Sequence, residues 1–146
     1  MTGMKRLIGL PVIFDGQQIG SVVRGVVSED GKSLRGLVIR DGLHASRWID
    51  AKHIEMLGRL SVISRKCPVR TPRFAAYRLF RVTDADGLRV GLVTDVLLDE
   101  ESLRVKALEI SSGPLDDLLE GRFFATAFSV NAVSGTGHVT IPCRKH

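Results

Sequence analysis

Few residues in this 146-residue chain have the types and spacing that chemistry requires. Asp84-Ala85-Asp86-Gly87 has the look of a calcium loop's opening. Counted from Asp84, the turn glycine should fall where Arg89 stands, and the bidentate glutamate where the shorter Asp95 stands. Asp15-Gly16 recurs at the matching place earlier in the chain, so turn chemistry accounts for the motif. His44, His53, His138 and His146 are scattered and match no zinc spacing with Cys67 or Cys143. No serine sits in a Gly-x-Ser-x-Gly elbow, and no glycine loop of the phosphate-binding kind is present. No catalytic, cofactor-binding or metal-ligating residue is therefore assigned, and a non-enzymatic protein without cofactor is expected.

Three features suit binding. Arg65-Lys66-Cys67-Pro68-Val69-Arg70-Thr71-Pro72-Arg73 places four cations among two prolines, which predicts a stiff, exposed basic strip able to sit on phosphates. Arg47-Trp48 pairs the two residue types that dominate interface hot spots, although a lone tryptophan serves equally as core. Leu115, Leu118 and Leu119 would form the apolar face of a short helix over Pro114–Glu120. Ser112 would cap that helix, Asp116 and Asp117 fall in its first turn, and Gly121 ends it.

The elements that must position these residues come in two copies. Residues 15–42 fall without a gap on residues 86–113 when the chain is shifted by 71 positions. Asp15, Gly16, Gly20, Val22, Leu37, Ile39 and Gly42 then meet Asp86, Gly87, Gly91, Val93, Leu108, Ile110 and Gly113. Each copy reads as an apolar run, an Asp-Gly turn, a strand from the shared glycine, a polar turn and a further strand. Valine and isoleucine suit pleated surfaces, and a barrel removes unpaired edges from so short a unit. Later in each copy Asp50 is expected to cap Ala51-Lys52-His53, and Ser129 to cap Val130-Asn131-Ala132. On that matching the offset grows to 79, an insertion of eight residues at Pro114–Gly121.

Composition excludes other classes. At 44% hydrophobic and 25% charged residues, disorder of the bulk is excluded, and two cysteines cannot build a secreted disulfide framework. Leu7–Phe14 imitates a signal peptide but is short, holds Pro11 and lacks a cleavage pattern. Phe123–Cys143 has no charged residue and a membrane-spanning length, yet its serines, threonines and glycines suit hairpins. No membrane span and a cytoplasmic location are expected. The net charge of +5 is uneven. Residues 1–73 carry thirteen Lys/Arg against six Asp/Glu, and residues 74–146 eight against ten.

Leu10-Pro11-Val12-Ile13-Phe14-Asp15-Gly16-Gln17-Gln18-Ile19-Gly20-Ser21-Val22 resembles the opening motif of the PRC-barrel domain, and Trp48-Ile49-Asp50-Ala51-Lys52-His53-Ile54 resembles the family's late segment. The second copy matches at Asp86–Val93 and departs where Arg81-Val82-Thr83 replaces the Pro-Val step, and again at the insertion. The resemblance implies small β-barrels without a catalytic constellation. Such domains occur in the cytoplasmic part of the photosynthetic reaction-centre H subunit and as the docking C-terminal domain of a ribosome-maturation factor. The expected architecture is mainly β, two tandem small PRC-type barrels with one short helix inserted in the second. Residues 4–64 would form the first barrel, 65–73 the basic linker and 74–142 the second. The implied function is a bacterial cytoplasmic adaptor that docks a protein partner through Arg47, Trp48, Leu115 and Leu118. RNA or ribosome association through Arg65, Lys66, Arg70 and Arg73 is the rival, ligand binding between the barrels a third reading, and self-association stays open.

Overall fold

A computed structural model describes residues 1–42, 45–113 and 121–143. The chain begins with β1 (Thr2–Gly3) and one helical turn, α1 (Met4–Leu7). There follow β2 (Pro11–Phe14), β3 (Gln17–Val27), β4 (Leu34–Arg40), β5 (Ser46–Asp50), a 3₁₀ turn (Ala51–His53), β6 (Ile54–Leu57), β7 (Val62–Ser64) and β8 (Val69–Arg70). A second 3₁₀ turn (Arg73–Ala76) leads to β9 (Arg78–Asp84), β10 (Arg89–Leu98), β11 (Val105–Ser111), β12 (Phe123–Ala125), β13 (Ser129–Val133) and β14 (Thr136–Ile141). The molecule is thus mainly β, built of two curled seven-stranded sheets.

The first sheet runs β6-β7-β2-β3-β4-β5-β8 and the second β13-β14-β9-β10-β11-β12, with β1 added beside β10. Apart from β8 and β1 the two orders are the same. In each, one parallel pair (β2 with β7, β9 with β14) closes an otherwise antiparallel ribbon. The ladder between β3 and β4 recurs residue for residue, 71 positions later, between β10 and β11. Val22 faces Ile39 as Val93 faces Ile110, and both ladders break register after these pairs and again near their ends. Gly20 explains why the repeat keeps its glycine: a β-carbon there would stand 2.5 Å from the Arg40 carbonyl oxygen. Gly91 meets the carbonyl oxygen of Ser111 in the same way.

The opening hairpins differ despite their shared Asp-Gly. Asp15 (φ 52°) and Gly16 (φ 75°) form a two-residue turn of the type that matches strand twist. Ala85 lengthens the second loop, where Gly87 N–H donates to the Asp84 carbonyl and only Gly87 takes a positive φ.

The leading segments are exchanged between the halves. β1 and α1 precede the first sheet, but Gly3 pairs with Leu97 and the Lys5 N–H donates to Asp95 Oδ1 at 3.1 Å. The 3₁₀ turn Arg73–Ala76 precedes the second sheet, but the Ala75 carbonyl accepts from Arg24 of β3 at 2.7 Å. Arg24 and Asp95 are equivalent residues beside equivalent bulges. Between the sheets Leu34 N–H donates to the Leu103 carbonyl, and Val105 N–H to the Lys32 carbonyl, both at 2.8 Å. Ser33 bridges Arg104, its own counterpart. This reciprocity is the mark of a two-fold axis between the halves. The interiors of the two halves are continuous. Leu37, Ile39, Leu108 and Ile110, all fully buried, belong with Leu7 and Tyr77 to one contiguous apolar cluster.

Local expectations are corrected at four places. Asp50 stands at the N-cap of Ala51–His53 but its side chain makes no capping bond. Ser129-Val130-Asn131-Ala132 is strand, not a capped turn. Ile49 and Ala125 face the equivalent Leu37 and Leu108, so the offset there is 76 rather than 79. The basic linker is not a free spacer, because Val69 and Arg70 pair with Trp48 and Arg47 as edge strand β8. The expected helix Pro114–Glu120 lies outside the described residues. Phe123–Cys143 folds as short strands, and among the described residues no helix is long and apolar enough to cross a membrane.

Candidate functional site

The outer face of the first sheet is sealed. Trp48 opposes Val38 on β4 and is only 3% exposed. Phe74, from the 3₁₀ turn of the other half, meets its ring edge-on at 5.3 Å, and the Arg35 guanidinium lies 3.5 Å above the Phe74 ring. Val23, Val26 and Ala75 complete this second apolar cluster. Trp48 is therefore a packing residue, and the expectation that it anchors a partner is corrected. Its counterpart on the second sheet, Phe124 on the edge strand β12, is 56% exposed. Sequence reading passed over Phe124 because its equivalence to Trp48 appears only once the ladders are aligned.

Two of the predicted cations meet at one edge of the first sheet. Arg47 and Arg70 are directly opposed on β5 and β8, and both are exposed. Arg65, Lys66 and Arg73 are exposed on the same segment. Its ends are fixed: buried Ser64 donates its hydroxyl to the Lys66 carbonyl at 2.6 Å, Arg65 N–H donates to the His53 carbonyl at 2.7 Å, and the Thr71 hydroxyl donates to Ser46 Oγ at 3.1 Å. Leu115, Leu118 and His44 lie outside the described residues.

The cleft between the halves is narrow. Met4, Ile8, Arg24, Tyr77, Val93 and Asp95 help to line a cavity of about 160 Å³. Arg24 is spent on the Ala75 carbonyl, and Asp95 on the backbone N–H groups of Lys5 and Val96. A ligand pocket usually offers roughly 300 Å³ or more; a second cavity shared by the halves, lined by Glu55, Met56, Glu100 and Leu103 among others, reaches about 300 Å³.

The acidic turn behaves as turn chemistry. Asp84 Oδ1 accepts the backbone N–H groups of Asp86 and Leu88 at 2.9 and 3.0 Å. Ligand atoms of Asp84, Asp86 and Cys143 lie within 4.8 Å of one another, a grouping that the sequence did not disclose because Cys143 is distant in sequence and is brought in by the pairing of β14 with β9. The Cys143 thiol donates to Asp86 Oδ2 at 3.2 Å, and that bond, with some loss of hydration and the charges of Asp86 and Asp84, pushes the exposed thiol above its ordinary value. Elsewhere, hydrogen bonds from the N-terminal ammonium and the Thr2 hydroxyl hold Glu100 down to about 2. The Thr94 hydroxyl, ahead of Arg122, lowers Glu109.

Compared with known proteins, residues 77–145 match the family model described as the PRC-barrel domain. No curated protein matches the chain.

Proposed function

Because residues 77–145 match the PRC-barrel family model, we propose that this chain is a non-enzymatic adaptor that docks a protein partner in the bacterial cytoplasm. Residues 4–64 and 74–142 are read as two copies of the same unit, joined through 65–73. The observation that carries the docking reading is Phe124. At one ladder position the first half buries Trp48 to 3% exposure beneath Phe74, while the second half leaves Phe124 56% exposed on an edge strand. An exposed aromatic offers a partner apolar area at little ordering cost. Leu115 and Leu118 are kept as candidates for the same role on their sequence alone.

Affinity capture with the tagged chain from its native host tests this. The expected result is one defined protein that survives a high-salt wash and is lost with Phe124→Glu. Capture undiminished by Phe124→Glu and by Leu118→Asp refutes the reading.

A further inference from the structure

We infer that the Arg47–Arg70 pair is a phosphate site and that its occupant is the backbone of a single-stranded RNA. One row of the first sheet's ladder reads Val22, Ile39, Arg47, Arg70 from strand to strand. Its first two members are buried and its last two exposed. The equivalent row of the second sheet reads Val93, Ile110, Phe123. The fold therefore accepts an aromatic ring where Arg47 stands, and packing does not require the arginine.

Placing Arg70 directly opposite it is unfavourable, because like charges facing across a ladder repel with their β-carbons only about 5 Å apart. Among the described residues the ion pairs are Met1 with Glu100 and Arg122 with Glu109, so no carboxylate relieves the repulsion. A bound anion would. The bonds at Ser64, Arg65 and Thr71 hold β8 in place beforehand, so the two guanidinium groups need little ordering on binding.

The shape of the pair selects the anion. One arginine fork fills a carboxylate, whereas two arginines at opposed ladder positions carry more donors than one carboxylate accepts, which suits the several oxygens of a phosphate. Lys66 and Arg73, exposed on either side along the same segment, extend the track as a polymer of repeated phosphates requires. Trp48 is sealed, so no ring stands ready at this edge to stack a base. Binding is then sequence-independent and governed by salt.

Fluorescence anisotropy with a labelled oligouridylate tests the assignment, with phosphatidylglycerol vesicles and inorganic phosphate as separate arms. The expected result is RNA binding that weakens with salt. The double variant Arg47→Ala/Arg70→Ala should bind at least about tenfold more weakly, with a salt slope shallower by about one. Arg59→Ala serves as the control and should bind as the unsubstituted chain does. In the unsubstituted chain the Nε–H resonances of Arg47 and Arg70 should shift on titration while that of Arg59 does not, a readout that no folding defect can imitate. Equal binding by the double variant, or unmoved Arg47 and Arg70 resonances, overturns the phosphate site. Binding to vesicles or inorganic phosphate but not to oligouridylate overturns its occupant.

Discussion

Substituting Gly91 by alanine tests the duplicated architecture at its tightest point. A β-carbon at Gly91 would press on the Ser111 carbonyl oxygen even more closely than one at Gly20, which would stand 2.5 Å from that of Arg40. Ordinary contact begins near 3.4 Å, so the strands must part by about 1 Å. The obstacle is backbone held in a ladder, which cannot rotate away as a side chain can. Forced backbone shifts of this kind cost roughly 1–3 kcal/mol, and the depth of this clash places Gly91→Ala at the upper end. For a chain of this length each kcal/mol lowers Tm by about 2–4 °C, so a fall of roughly 6–12 °C is expected. Gly16→Ala is the control. Its φ is +75° but nothing lies within 4 Å of the added carbon, so only the left-handed backbone is penalised, at about 1 kcal/mol. Thermal unfolding followed by circular dichroism, with urea midpoints as a second measure, decides the matter. If Gly91→Ala is no more costly than Gly16→Ala, the close approach is not what keeps glycine at this position of the repeat.

Two further outcomes follow from titrating groups. Glu100 sits at about 2 in the folded chain against an ordinary 4.5, so its contacts stabilise fully above that ordinary value and are lost as pH falls toward the folded one. Glu100→Gln should therefore flatten the fall in urea midpoint across that interval and leave the rest of the pH profile in place; an unaltered acid limb counts against the contact. Cys143 is held as the thiol chiefly by its bond to Asp86. Asp86→Asn should speed its alkylation by iodoacetamide severalfold at mildly alkaline pH while Cys67 reacts at its former rate, and equal Cys143 rates in the two proteins exclude that bond as the cause.

The repeat was readable because strands with bulges conserve their residue count: the offset of 71 survives through the whole β3–β4 and β10–β11 ladders. What escaped reading depended on partners distant in sequence. Pro68 and Pro72 look like a spacer, but they flank a ladder of only two residue pairs at a sheet edge, where proline's missing N–H is tolerated. β1 and α1 carry no periodic signal in so few residues, and their places are fixed by Asp95 and Leu97 in the other half. Trp48 illustrates the same limit. Its type suits an interface or a core equally, and only Phe74, arriving from beyond the linker, decides for core. The opposed arginines were visible singly as basic residues, but their facing each other depends on a strand pairing that sequence pattern did not announce.

The exchanged leading segments have a consequence for how this molecule diversified. In a dimer of identical subunits one codon serves both symmetric positions, so any change is felt twice. Here the two positions are written separately. Arg24 grips a carbonyl of the opposing turn while Asp95, its twin, grips an amide N–H. Each side is thus free to hold its own handshake, and the junction is a lock whose two keys are not interchangeable.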